Sequence, residues 1–167
     1  MTLAVEVLYA TRRPAVPPRV RLIEWARAAA GRRAAGTELA IRIVTPAESR
    51  RLNREYRGAD RPTNVLSFAG AWPRAAGRAR AARGPAPRGH ALGDLAICAS
   101  VVAREARAQR KAARAHWAHM VVHGTLHLLG YDHARARDAA RMERRERAIL
   151  ARLGFADPYA AAPGRGH

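Results

Sequence analysis

Three histidines in the last third of the chain are spaced so that they could bind one metal ion. His123 and His127 lie four residues apart in a run that predicts a helix, so their side chains project from one face. Gly130 follows, and glycine adopts left-handed dihedrals without steric cost, so the chain can turn there and bring His133 back. Three imidazoles with an open fourth position are what a catalytic zinc site needs, and the spacing therefore predicts such a site.

Two further histidines lie on the same stripe of this helix. His119 is also four residues from His123, so this spacing alone does not select the ligands. The pair His123 and His127 is the one that a third histidine completes after the Gly130 turn. We therefore expect His116 and His119 to pack in the core or to support the ligands.

Asp132 is the one carboxylate within the run His123–His133. It could orient a ligand through a hydrogen bond, or cap the last helix, and the sequence leaves both roles open. Either Asp132 or a metal-bound hydroxide could act as the general base, and the sequence leaves that choice open as well.

The spacing H-x-x-x-H-x-x-G-x-x-H is also that of metzincin proteases, with one difference. Those enzymes carry Glu directly after the first histidine as the general base, and here that position is Gly124. Three neutral imidazoles would leave the metal its full double positive charge, which suits an anionic phosphodiester better than a peptide. The charge of such a site favours a nuclease. The spacing leaves a metallopeptidase as the alternative.

Arg57 stands at the end of a predicted helix that Gly58 terminates, before a polar loop and a strand. An arginine there complements the helix dipole, which is one explanation of its presence. The other is that it binds a phosphate group near the metal. Asn64 and Ser67 could bond to the backbone or line the same cleft.

The charge of the chain favours a polyanionic partner. Lys and Arg total 31 against 13 Asp and Glu, giving a net charge of +18, and Lys111 is the one lysine. A GC-rich genome would explain arginine over lysine but not the shortage of acids, so nucleic acid is the favoured partner.

Cys98 is the sole cysteine, which fits a reducing compartment. With no signal peptide and no apolar stretch of membrane-spanning length, we expect a cytoplasmic protein.

The periodicity predicts an α+β fold in which a small mixed four-stranded sheet is packed on one side by helices. The predicted strands cover about residues 3–10, 39–44, 64–69 and 92–99. The predicted helices cover about residues 17–35, 46–57, 116–129 and 134–153, and one more helix follows the fourth strand from Ser100. Thr45, Pro46 and Glu48 together indicate a capped helix start, and Ser100 is the expected cap of the third helix. We expect one domain over 1–162, with a basic loop at 70–91 and a frayed tail at 163–167.

Several segments resemble the YbeY family of bacterial endoribonucleases that mature ribosomal RNA. The resemblance rests on LNREYRGADRPTNVLSF at 52–68, LGDLAI at 92–97 and HWAHMVVHGTLHLLGYDH at 116–133, and covers roughly residues 38–159. It implies a zincin-like fold with the metal site on a central helix, one Zn²⁺ ion on His123, His127 and His133, and a functional Arg57. It also implies activity on single-stranded RNA in 16S ribosomal RNA 3′-end maturation and ribosome quality control, with the small ribosomal subunit as partner. The arginines of the loop at 70–91 and of the last helix depart from the family pattern.

The leading hypothesis is a zinc-dependent endoribonuclease with Arg57, His123 and Asp132 as catalytic residues. The attacking group, water or the ribose 2′-OH, is left open, as are the native metal and the oligomeric state. Besides the metallopeptidase, a non-catalytic ribosome-binding module with structural zinc is a second alternative.

Overall fold

The computed structural model describes residues 2–70 and 90–160 of the chain. Its strands are β1 (Ala4–Tyr9), β2 (Thr37–Val44), β3 (Val65–Ala69) and β4 (His90–Cys98). Its α-helices are α1 (Arg19–Ala30), α2 (Pro46–Arg57), α3 (Ala99–Ala108), α4 (Ala113–Leu128) and α5 (Ala136–Arg152). These elements confirm the predicted α+β fold with a mixed four-stranded sheet. Most of the predicted basic loop, the predicted tail and the predicted domain end at residue 162 lie outside the described residues.

The sheet has the strand order β1-β2-β4-β3. Strands β1, β2 and β4 are parallel, and β3 runs antiparallel to β4 at the edge of the sheet. Central strands β2 and β4 are buried without interruption over their second halves, because both of their faces are covered. This topology leaves β3 as the strand with an outer edge beside the helix that carries the histidines.

Apolar side chains cover both faces of the sheet. On one face Ile41 and Ile97 belong to the main core, which also contains side chains of α1, α4 and α5. On the other face Leu66 and Phe68 pack in a smaller core that contains Leu52 of α2. The prediction that helices pack on one side of the sheet is therefore wrong. Leu66 and Phe68 alternate with less buried neighbours, so both side chains lie on the second face of the sheet, against which α2 packs.

Helix α4 is the central helix of the fold and is buried on most of its surface, with a stripe of histidines among apolar residues. It contacts α1, α3 and α5 as well as β3 and β4, and Trp117, Val121 and Leu126 are fully buried. A helix surrounded in this way is held rigidly on several sides, which suits it to carry a site. Neither α4 nor any other helix in the described ranges combines the length and apolarity needed to span a membrane.

Two helix starts test the capping predictions. The Thr45 side chain accepts a hydrogen bond from the Glu48 amide at 3.3 Å and Pro46 is the first helical residue, as predicted. Ser100 does not cap α3, and that prediction is wrong. Strand β4 continues to Cys98 and α3 begins at once at Ala99, so Ser100 already lies inside the helix.

Candidate metal centre and its cleft

The three predicted ligands come together at the C-terminal end of α4. His127 Nε2 lies 3.2 Å from His123 Nε2 and 3.0 Å from His133 Nδ1. Zinc–nitrogen bonds of 2.0–2.1 Å in tetrahedral geometry place two ligand nitrogens roughly 3.3 Å apart. The three nitrogens therefore stand at nearly the separation that one ion requires, and they form one of the two His and carboxylate groupings of metal-binding size among the described residues.

The turn after α4 is what returns His133 to the pair. Gly130 has φ of +96°, a conformation that favours glycine, and the Tyr131 amide donates to the Leu126 carbonyl at 3.1 Å. Asp132 then accepts hydrogen bonds from the amides of His133 at 2.7 Å and Ala134 at 3.1 Å. Both interactions tighten the turn, so the third ligand is fixed by backbone geometry.

Asp132 thus stabilises the turn that leads to α5. Its bonds from the backbone amides of His133 and Ala134 lower the pKa of this exposed carboxyl, so it is ionised at neutral pH. Asp132 is not among the described residues that line the cleft at the three histidines. It borders a neighbouring depression together with Tyr131. Its predicted role as a base stays a prediction.

The protonation of His127 suits a metal ligand. Burial lowers its pKa, and the adjacent His123 and His133 lower it further because a second positive charge there would be repelled. A neutral imidazole offers the lone pair that a metal needs. The ligand set therefore fits a divalent ion such as zinc.

Glu146 is a member of the site that sequence reasoning missed. This fully buried carboxylate of α5 lies 3.2 Å from His123 Nδ1 and 2.5 Å from His119 Nε2, and it accepts from the Tyr159 hydroxyl at 3.0 Å. Burial alone would raise the pKa of Glu146, but the hydrogen bonds from His119 and His123 outweigh it and lower the pKa to about 2. The carboxylate is therefore an anion directly behind the candidate ligand His123.

The sequence did carry a signal for Glu146. It lies four residues after Met142 and three before Ile149, so it interrupts the apolar face of the last predicted helix. Because burying an unpaired charge is costly, a carboxylate on an apolar helix face is expected to have hydrogen-bonding partners. Its partners could not be identified, because the position of α5 against α4 is set by tertiary packing.

His119 and His116 are both buried, and each pairs with a carboxylate. His119 bonds to Glu146 and lies 3.3 Å from the Tyr159 hydroxyl. His116 lies one turn earlier, and its Nε2 is 2.9 Å from a carboxylate oxygen of Glu105. Burial lowers the pKa of His116 although Glu105 opposes the shift. The helix thus has two histidine–carboxylate pairs, of which the one with Glu146 also touches the candidate ligand His123.

Arg57 faces the same cleft as the three histidines. The cleft has a volume of about 460 Å³ and lies between β3 and α4. Gly58, with φ of +72°, ends α2 and leaves Arg57 in the last turn. The guanidinium donates to the Ser67 carbonyl at 2.9 Å and lies 5.3 Å from the centre of the Phe68 ring. These contacts hold a planar cation at the wall of the cleft. Asn64 and Ser67 line the cleft as well.

Gly124 points towards the sheet. A Cβ atom there would lie 2.8 Å from Leu95 Cδ2 and 3.2 Å from Val65 Cγ2, and real Cβ atoms essentially never approach another heavy atom to under 3.0 Å. The Gly124 carbonyl also accepts from the Ser67 hydroxyl at 3.1 Å. At the position that holds the base in metzincins, the helix here packs closely against the sheet. There is no space for a glutamate.

The sequence matches one family model, described as Endoribonuclease YbeY, over residues 20–154. A protein named Endoribonuclease YbeY from Alkalilimnicola ehrlichii is 51% identical over 160 residues, which cover 94% of this chain and 91% of that protein. The protein of that name from Bordetella pertussis is 50% identical over 152 residues, covering 87% and 88%. A third, from Halorhodospira halophila, is 56% identical over 124 residues, covering 74% and 75%.

Among solved structures, the solution structure of TM1509 from Thermotoga maritima is similar with a TM-score of 0.55. The likeness covers 93% of this chain and 99% of that chain at 19% sequence identity. At this identity the likeness supports the fold and carries no statement about activity.

Proposed function

This chain belongs to the Endoribonuclease YbeY family, and on that premise we propose that it is a zinc-dependent endoribonuclease that cuts single-stranded RNA. The observation that carries the proposal is the convergence of three histidine nitrogens in one cleft with Arg57. We further propose that it acts in the cytoplasm on 16S ribosomal RNA, in 3′-end maturation and in ribosome quality control. The small ribosomal subunit is then its partner. These finer assignments rest on the motif resemblance and on the excess of positive charge.

His123, His127 and His133 would hold one Zn²⁺ ion. When bound, the ion would supply a Lewis acid for the scissile phosphate and would favour the ionisation of water at neutral pH. The ligand set accepts nickel, cobalt or copper as well as zinc, so zinc is proposed from the family resemblance. The chain itself contributes neutral imidazoles, whose nearly correct separation means that little rearrangement accompanies metal binding.

Arg57 would bind the phosphate and stabilise the charge that develops on it. Guanidinium groups pair with phosphate through parallel N–H donors, and in a cleft such pairs are stronger than in open water. In the described part of the chain, two N–H groups of Arg57 donate to the carbonyls of Tyr56 and Ser67. Those bonds fix the plane of the group, and its remaining donors can address a phosphodiester.

The cleft and the charge favour RNA as a single strand. A volume of about 460 Å³ admits one backbone segment of a flexible strand more readily than a duplex. The net charge of +18 attracts the polyanion, with an affinity that must fall steeply with salt. The general base is proposed to be Asp132, although this residue lies outside the lining of the cleft.

The test is cleavage of an end-labelled single-stranded RNA by metal-replete protein, with a duplex of the same sequence alongside. We expect cleavage of the single strand, its loss on chelation and its return with zinc. His123→Ala and Arg57→Ala should each lose activity while remaining folded. Arg54→Ala, which removes an exposed arginine of the same helix that pairs with Asp60, is the matched control and should stay active.

Full activity in both His123→Ala and Arg57→Ala would refute the site assignment. The chemistry of the new RNA ends identifies the attacking group, because attack by the 2′-OH leaves a cyclic phosphate and attack by water does not. Loss of activity in Asp132→Asn with unchanged zinc binding would support Asp132 as the base. Unchanged activity in that variant would remove it from the catalytic residues.

The two alternatives gain no support from the site. A metallopeptidase of this spacing needs a carboxylate at position 124, where the packing against Leu95 and Val65 leaves no space. A structural zinc site normally has four protein ligands, whereas the grouping at the cleft within the described residues consists of three histidines.

A further inference from the structure

Glu146 is a charged group in the protein interior for which a nuclease site has no evident direct use. It is 0% exposed, and its two oxygens face His119, His123 and Tyr159. A buried carboxylate is costly unless its partners are well placed, so such a group usually has a defined task. Its one contact with a proposed ligand is the bond to His123.

The two nitrogens of the His123 ring have different partners. Nδ1 lies 3.2 Å from Glu146 Oε1, while Nε2 faces His127 Nε2 at 3.2 Å. A carboxylate accepts hydrogen bonds, so the proton of the neutral ring belongs on Nδ1. Nε2 then keeps its lone pair, and that lone pair is directed to the point where the other two ligand nitrogens meet.

A second metal ion on His119, His123 and Glu146 is the competing explanation, because their ligand atoms also lie within 4.8 Å of one another. The contact between His119 Nε2 and Glu146 Oε2 is 2.5 Å, however. Two ligands of one tetrahedral ion would be roughly 3.3 Å apart. The short contact is therefore a hydrogen bond, and it leaves no space for an ion between the two groups.

The partners of Glu146 hold it in place. His119 comes from α4 one turn before His123, and the Tyr159 hydroxyl donates to both carboxylate oxygens at 3.1 Å and 3.0 Å. Burial, followed by the charge and hydrogen bond of Glu146, raises the pKa of Tyr159, so its hydroxyl keeps the proton that it donates. The carboxylate is thus oriented from α4 and from the segment that follows α5.

We propose that Glu146 is the positioning residue of the metal centre, which fixes the tautomer and the ring orientation of His123, and that Tyr159 locks Glu146 in that role. The inference rests on the proposed metal site and adds to it a determinant of metal affinity. Carboxylates behind ligating histidines act in this way, and losing one typically weakens metal binding about 10–100-fold.

The chain provides a matched control. Glu105 of α3 lies 2.9 Å from His116 Nε2, so it forms the same kind of histidine–carboxylate pair on the same helix, and it also accepts from Asn64. His116 is not a proposed ligand. Glu105→Gln should therefore disturb a histidine–carboxylate pair on the same helix, in which Glu105 is partly exposed, without weakening metal binding.

The experiment measures the zinc affinity of the full-length protein by competition with a chelator of known affinity. We expect Glu146→Gln to bind zinc about tenfold or more weakly, and Glu105→Gln to bind as tightly as wild type. Tyr159→Phe should weaken zinc binding about fivefold, as for the loss of one hydrogen bond. The visible spectrum of the cobalt-substituted protein should change in Glu146→Gln but not in Glu105→Gln.

Equal zinc affinity in Glu146→Gln and Glu105→Gln would overturn the proposal while leaving the metal site intact. Failure of the wild type to bind zinc would overturn the metal site and this inference together. The melting temperatures of the metal-free variants separate loss of fold from loss of affinity. If Glu146→Gln does not fold, Tyr159→Phe decides, because it removes one oxygen from a partly exposed side chain, and unchanged zinc affinity there contradicts the proposal.

Discussion

Gly124→Ala tests whether the residue after the first ligand really faces a sheet with no space to spare. Two effects of opposite sign compete in this change. Alanine in place of glycine inside a helix is worth about 1 kcal/mol of stability. Against that, the new Cβ would meet Leu95 Cδ2 at 2.8 Å and Val65 Cγ2 at 3.2 Å. Extra carbon in a well-packed core costs about 1–3 kcal/mol.

The packing term should decide the sign. Leu95 is 0% exposed in the central strand β4, so its side chain cannot move into solvent to relieve the contact. Taking about 3 kcal/mol for overpacking and about 1 kcal/mol for helix propensity leaves a net loss of about 2 kcal/mol. For a chain of this size that corresponds to a fall in melting temperature of about 4–8 °C.

The assay is thermal unfolding of the metal-free protein, followed by circular dichroism, and chemical unfolding in urea at one temperature. Leu95→Val in the Gly124→Ala background should recover part of the loss, because valine is shorter and lacks the Cδ atoms that approach the new Cβ. The same Leu95→Val change alone should destabilise by about 1 kcal/mol, and the difference between the two backgrounds measures the contact. An increase in stability of about 1 kcal/mol in Gly124→Ala would show that propensity alone operates and would refute the close packing.

Three other predictions follow from the charges and contacts of single residues. Because the pKa of Glu146 is 4.5 unfolded and about 2 folded, its ionisation stabilises the metal-free protein fully above pH 4.5 and progressively less as the pH falls towards 2. The difference in urea unfolding free energy between wild type and Glu146→Gln should shrink across that range, and a constant difference would contradict the assignment. In RNA binding measured over a salt series, Arg57→Ala should reduce the slope of log affinity against log salt by about 0.7, whereas Arg54→Ala, whose guanidinium pairs with Asp60 outside the cleft, should leave the slope unchanged. Gly93→Ala should prevent folding or cost more than about 3 kcal/mol, because its Cβ would lie 2.3 Å from a carbonyl oxygen and 2.7 Å from Leu128 Cδ2. A normal melting curve for Gly93→Ala would show that the strand pairing there is misplaced.

The parts of the site that follow from local spacing could be predicted from the sequence. His123, His127 and His133 depend on one helix and one glycine turn, and residues close in sequence determine both. The cap at Thr45 is local in the same way. The elements of the fold follow from periodicity, and their bounds differ from the predicted ones by a few residues.

The parts that depend on contacts between distant elements could not be predicted. Glu146 is 23 residues from His123 along the chain, and their contact requires α5 to lie against α4. The covering of the second sheet face by Leu52 likewise depends on where α2 crosses the sheet. The prediction that Ser100 caps α3 was wrong for a more local reason, because β4 runs directly into α3 without a connecting residue.

The bond from Arg57 to Ser67 bears on which polymers can lie along β3. In the antiparallel pair, the Cys98 amide donates to the Asn64 carbonyl and the Gly70 amide donates to the Leu92 carbonyl, so the backbone of Ser67 points away from β4. An outward carbonyl on an edge strand is where an extended peptide adds as a further strand. Here the Arg57 guanidinium already takes that acceptor at 2.9 Å. The side chain that we propose to bind a phosphodiester thus also occupies an acceptor that an added strand would need, so Arg57→Ala would leave the Ser67 carbonyl free to pair with an extended peptide.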